Sequence, residues 1–132
     1  MSVYIALLAT GALVFVSAAV QHLNTVSSKG LGFVFTDRAT PLGRDGFVGR
    51  AARTVQNNLE SAAMALPALV ALSLAGVTDV ITSTAAMLYV LARIGFTFSY
   101  WLGIHRLRSL FWGIGMAMIA VLTVSATMRL LD

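Results

Sequence analysis

Arginines and one acid set the chemical question in this chain. Arg50, Arg53, Asn57 and Glu60 stand at i, i+3, i+7 and i+10. At about 100° per residue, a helix gathers them into one stripe roughly 60–80° wide. Arg93 and Tyr100 lie two helical turns apart on one face, and Arg108 and Ser109 follow closely in sequence. Guanidinium forks bind carboxylates in bidentate fashion, so several arginines around a single acid point to an anionic ligand. A plainer account exists. Glu60 neutralises Arg93 or Arg53, and Asn57 joins two helices. That account uses up one cation and leaves the others. Arginines at helix ends also reach lipid phosphates by snorkelling.

The elements that must position these groups are membrane helices. The chain has 132 residues, 58% hydrophobic and 11% charged, against about 25% charged in a soluble domain. Little polar material is left to cover a water-facing surface. A span needs roughly 20 mostly apolar residues, and four stretches qualify: Val3–His22, Phe47–Gly76 (polar in its front half), Val80–Gly103 and Ser109–Leu131. The strict alternation of a barrel is absent, so the backbone must be satisfied within helices. The expected fold is an all-α integral membrane bundle of four transmembrane helices in one domain, residues 1–132. Val3–Val20 has no basic residue before it and no clear cleavage pattern after it, which reads as a retained helix rather than a signal peptide.

Two kinds of connection join the spans. Asn24–Gly46 is long and holds Gly30, Gly32, Pro41, Gly43 and Gly46, which are loop residues. Those around Val77–Asp79 and Gly103–Arg108 are short, and His105 reads as an exposed residue of the latter. Lys29, Arg38, Arg44, Arg50 and Arg53 flank the first connection, and Arg106 and Arg108 the third; the second has no Lys or Arg. The positive-inside rule then puts connections one and three in the cytoplasm and both termini outside.

Composition also excludes chemistry. With no cysteine there is no disulfide, thiolate metal site or protein thiol nucleophile. Two histidines, His22 and His105, are too few for a metal cluster unless carboxylates help. The net charge of +4 sits in loops and at helix ends, where it sets topology and meets lipid headgroups, so no nucleic-acid partner is expected. Pro67 is expected to kink the second span. Gly113, Gly115, Ala117 and Ala120 offer a small face for close helix contact.

The stretch Gly49–Glu60, GRAARTVQNNLE, holds R-x-x-x-N-x-x-E as Arg53, Asn57 and Glu60. Ala92–Tyr100, ARIGFTFSY, holds R-x6-Y, and R-S follows a short turn at Arg108 and Ser109. In order, spacing and layout these residues resemble the MAPEG family, membrane-associated proteins in eicosanoid and glutathione metabolism, over nearly the whole chain. Family members often carry an arginine where the first span ends; here Gln21 and His22 stand there. The turn before Arg108 is about one residue shorter than in some relatives. These departures fit a distant bacterial branch and an inner-membrane protein.

The resemblance implies a homotrimer of four-helix subunits, with glutathione bound between subunits at the cytoplasmic side. By similarity, Arg53, Asn57 and Glu60 grip its charged and amide ends, Arg93 and Tyr100 contact it, and Arg108 stabilises the thiolate, with Ser109 as second candidate; Arg50, on the same stripe, is a further ligand-binding candidate. The implied activity is that of a glutathione-dependent transferase or peroxidase acting on a lipophilic electrophile. Glutathione has two carboxylates and one ammonium, a fair match to several arginines and one glutamate. A guanidinium near its sulfur favours the charged form. Two other classes stay open: a non-catalytic membrane scaffold or lipid- or anion-binding protein, and a small four-helix transporter. Such exporters usually place a key acid in the first span, and here that span has none.

Overall fold

The computed structural model describes residues 2–37 and 43–131. Arg38 and Pro41, expected in the first connection, lie outside them. Every regular element among the described residues is a helix: α1 Val3–Lys29, α2 Leu31–Val34, α3 Gly46–Leu74, α4 Val80–Leu102 and α5 His105–Leu131. Five helices replace the expected four because of α2, a single turn. α1, α4 and α5 are long and apolar enough to cross a membrane. α3 has 29 residues but is not among them, because Arg50, Arg53, Asn57 and Glu60 make its front half polar, so three of the four expected spans are borne out.

The helix ends follow local chemistry. Ser2 caps α1, its hydroxyl accepting from the Ile5 N–H. α1 runs to Lys29 rather than ending near His22. Asn24–Lys29 reads as loop by polarity. In the helix, however, the Thr25 hydroxyl donates to the Gln21 carbonyl and Ser28 to that of Asn24, so these side chains are satisfied without leaving it. Gly30 ends α1 at φ 83°, and Gly32, expected in loop, lies inside α2. α4 ends on Gly103 at φ 76°, a left-handed cap. The Ile104 N–H reaches the Ser99 carbonyl at 2.8 Å. α5 therefore begins at His105 instead of Ser109, which brings His105 and Arg106 into its first turn. α3 runs unbroken through Pro67.

The helices form a bundle in which α1 packs along α3 and α4 along α5, with α3 touching both α4 and α5. Alanines at 6, 65, 68, 85, 86 and 126 let the backbones approach around Leu69, Leu72, Tyr89, Ile119 and Leu122. The outside is apolar, with Leu8, Phe15, Leu74, Val80 and Ile81 all exposed. Of the small face read on α5, only Gly115 is buried; Gly113, Ala117 and Ala120 face outward. A Cβ on Gly95 would come within 2.7 Å of the Phe111 ring. Gly95→Ala should gain about 0.5–1 kcal/mol in a Phe111→Ala background, as for any helical glycine, and lose that gain when Phe111 is present. Thermal unfolding of the four variants in detergent measures the difference.

At the far end, Asp79 caps α4. The Thr82 N–H and hydroxyl each donate to it at 2.9 Å, and Arg129 stands 3.9 Å away. The Thr82 N–H, then its hydroxyl, hold the carboxyl below its ordinary value, with Arg129 adding to them. A depressed carboxylate stabilises the fold at pH above its unfolded value and stops doing so as pH falls through its folded value. Acid should therefore lower the melting temperature of the native chain more than that of Asp79→Asn, most visibly below about pH 4. Parallel melting curves at several pH values check this.

Candidate functional site

Three helix termini meet at the other end of the bundle: the starts of α3 and α5 and the end of α4. Arg50, in the second turn of α3, donates through Nε to the Trp101 carbonyl at 3.1 Å. That carbonyl is one of the last of α4, with no later helical N–H to meet it. Arg53 donates through Nε to the Tyr100 hydroxyl and through Nη1 to the Arg44 carbonyl, both at 3.1 Å. Arg108, in the first turn of α5, lies 4.9 Å over the Tyr100 ring, with Arg53 6.0 Å from the same ring. Such contacts hold a cation near a π face. The Asp79–Arg129 ion pair stands at the opposite end, and among the described residues neither of the two cavities beside Arg50, Arg53 and Arg108 is lined by a carboxylate.

Beside them a groove of about 300 Å³ is lined by Asn57, Phe96, Tyr100, Arg108, Ser109 and Trp112. A smaller cavity of about 80 Å³ adjoins Arg50, Arg53, Ser99, Gly103 and His105, again with Tyr100 and Arg108. Tyr100 and Arg108 thus stand between the two. The Ser109 hydroxyl donates to the His105 carbonyl at 3.1 Å within its own helix. Its proton is engaged while its oxygen can still accept. Phe96 meets Tyr100 edge-on, with ring centroids 5.4 Å apart, which fixes the wall of the groove.

Beneath the groove lies a buried polar knot. Arg93 is 4% exposed. Its Nη2 donates to Oδ1 of Asn57 at 3.1 Å and to Oδ1 of Asn58, and its guanidinium lies 4.3 Å over the Phe96 ring. Nδ2 of Asn58 donates to Ser17 Oγ at 2.7 Å and Thr97 Oγ1 at 3.0 Å. Glu60 takes no part. It is exposed and accepts from Gln56 at 2.8 Å. The Glu60–Arg93 ion pair offered by the sequence therefore does not form within the chain.

The reason is one step of helical phase. The buried residues of α3 include Thr54, Asn58 and Ser61. Arg53, Asn57 and Glu60 each precede one of them by a single residue, or about 100°. They share a face, as their spacing implies, but it is the flank of the helix, with Arg53 at the rim, Asn57 half-buried and Glu60 outward. Of the candidate residues, Arg50, Arg53, Asn57, Tyr100, Arg108 and Ser109 come together around the two cavities. Arg93 reaches that group through Asn57, and Glu60 stands apart. Asn58, Ser17, Thr97 and Trp112 complete the arrangement, and sequence reasoning placed none of them at the site. One small polar residue at depth in each of three spans was the available signal.

The fold and site define an integral membrane protein of the all-α class, with a cationic groove at one end of an apolar bundle. A model of the MAPEG family matches residues 2–128. The chain belongs to that family, which includes glutathione-dependent transferases and related proteins. Neither a curated protein nor a solved structure matches it.

Proposed function

We propose that this chain is a membrane-bound, glutathione-dependent transferase or peroxidase acting on lipophilic electrophiles. The observation that carries this reading is the groove itself. Arg108, Tyr100 and Asn57 line it together, no carboxylate does, and Phe96 and Trp112 supply apolar walls. That donor set suits glutathione. Arg50 and Arg53, which line the adjoining smaller cavity, hold its carboxylates in bidentate contacts, Asn57 donates to a carbonyl, and Arg108 favours the charged form of the sulfur. When bound, glutathione supplies the nucleophile that a cysteine-free chain lacks. Trp112, nearly half exposed, opens the groove towards lipid, from which an apolar substrate can enter.

Glu60 supports a homotrimer of four-span subunits. It lies 14 residues beyond Gly46, about 21 Å along the helix, and faces outward. A carboxylate at that depth is costly in lipid. A neighbouring subunit removes the cost and brings Glu60 to the ammonium of the ligand. In this reading the arginine-rich end is cytoplasmic, with connections one and three, and both termini are outside. Membrane lipids cover the rest.

Glutathione binding to the detergent-purified protein, read by dialysis and by ultraviolet thiolate absorbance, tests the activity. Binding with a thiolate signal is expected; an absence of both sinks the enzyme reading and leaves a membrane scaffold. The mass of the protein in its detergent micelle tests the trimer, and a monodisperse monomer counts against it.

A further inference from the structure

We infer that Asn58 is a positioning residue that keeps the groove selective for anions by holding Arg93 beneath it without neutralising its charge. The inference rests on the proposed ligand class but concerns a residue outside the groove. The assignment of its amide is forced. Ser17 spends its hydroxyl proton on the Leu13 carbonyl at 2.8 Å, and Thr97 spends its own on the Arg93 carbonyl at 2.9 Å. Both oxygens can then only accept. Nδ2 of Asn58 must face them, which turns Oδ1 to the guanidinium. A guanidinium has no acceptor, so Asn57 likewise turns Oδ1 to Arg93, leaving its Nδ2 to donate elsewhere. Asn57 lines the groove.

The charge count follows. A buried guanidinium stays protonated, and its two side-chain acceptors are neutral amides. Glu60, the nearest acid in sequence to these asparagines, is turned outward onto Gln56. The charge of Arg93 is thus felt in the groove above, in a region of low dielectric where it is poorly screened. Arg50 and Arg53 from α3 and Arg108 from α5 add to it. Tyr100 from α4 and His105 from α5 are the other titratable groups about the two cavities. An aspartate at position 58 has nearly the same shape and still accepts from Arg93, but it cancels the charge. The Ser17 and Thr97 hydroxyls can turn to donate to it, so the fold is retained.

Charge selectivity separates this role from a merely structural one. Binding of glutathione and of its dimethyl ester, whose carboxylates are masked, is measured on the native protein and on Asn58→Asp. The native protein is expected to prefer the free acid, and Asn58→Asp to shrink that preference about tenfold, the effect of roughly one unit of pKa-equivalent interaction. An unchanged preference overturns the inference. If Asn58→Asp fails to elute as the native assembly does, Arg93→Gln carries the same comparison, with the same two outcomes. If the native protein binds neither form of glutathione, the proposed function fails separately. Thermal stabilisation by inorganic sulfate is then compared instead: greater stabilisation of the native protein than of Asn58→Asp upholds the role of Asn58, and equal stabilisation overturns it.

Discussion

Replacing Arg108 with alanine should abolish the thiolate signal of bound glutathione and lower kcat/KM by about 100-fold or more, the usual loss when one preorganised donor at a developing charge is removed. Arg108 is the cation that both lines the groove and lies over Tyr100. The ring holds the guanidinium in place without neutralising it. A carboxylate there would hold it equally well but would compete with the ligand for its charge. Arg108→Lys should keep part of the effect, because a point charge remains while the planar fork is gone. Ser109→Ala should lose about tenfold or less. Its hydroxyl proton is committed to the His105 carbonyl, so donation to sulfur requires breaking that bond. A Ser109→Ala loss matching that of Arg108→Ala would transfer the thiol-activating role to the serine. Measuring thiolate absorbance alongside turnover separates lost ionisation from lost binding of the electrophile.

The largest effect on stability is expected at Asn58. Asn58→Leu takes an acceptor from a buried guanidinium and a donor from Ser17 and Thr97. Leaving a buried charge short of partners costs about 3 kcal/mol or more, and Asn58 is 2% exposed, so water cannot readily replace what is lost. Arg93→Met alone should cost somewhat less. It strands the Oδ1 atoms of Asn57 and Asn58 but leaves no charge behind, at about 1–3 kcal/mol for an unmet buried group. The double variant Asn58→Leu with Arg93→Met should recover much of the loss, since replacing a whole buried polar pair with apolar groups is often close to neutral. Unfolding midpoints in one detergent, followed by circular dichroism, give the cycle. Additive losses would mean that the two residues do not act as one network. The double variant should nevertheless bind glutathione poorly, because its groove lacks the charge beneath it.

Periodicity and composition made the helical class, the membrane setting and the basic end legible from residues alone. An apolar run of about 20 residues has few physical alternatives, and arginines near helix ends mark one side of the bundle. The motifs at Arg53, Asn57 and Glu60, at Arg93 and Tyr100, and at Arg108 and Ser109 carried the family, as the match over residues 2–128 bears out. The α1 boundary was not legible, because polar Asn24–Lys29 looks like loop until Thr25 and Ser28 are seen returning their hydroxyls to the helix. Nor was the partner of Arg93. Spacing told that Arg53, Asn57 and Glu60 share a face, but it could not tell which face turns inward. That choice belongs to the packing of α1, α4 and α5 around α3, which buries the face one residue later. Ser17, Asn58 and Thr97 come from three different helices, and their hydrogen bonds depend on how those helices are set against one another. A sequence fixes the angle between residues on one helix. Only the packed bundle fixes the rotation of each helix about its own axis, and that rotation put an asparagine, rather than the glutamate, against the buried arginine.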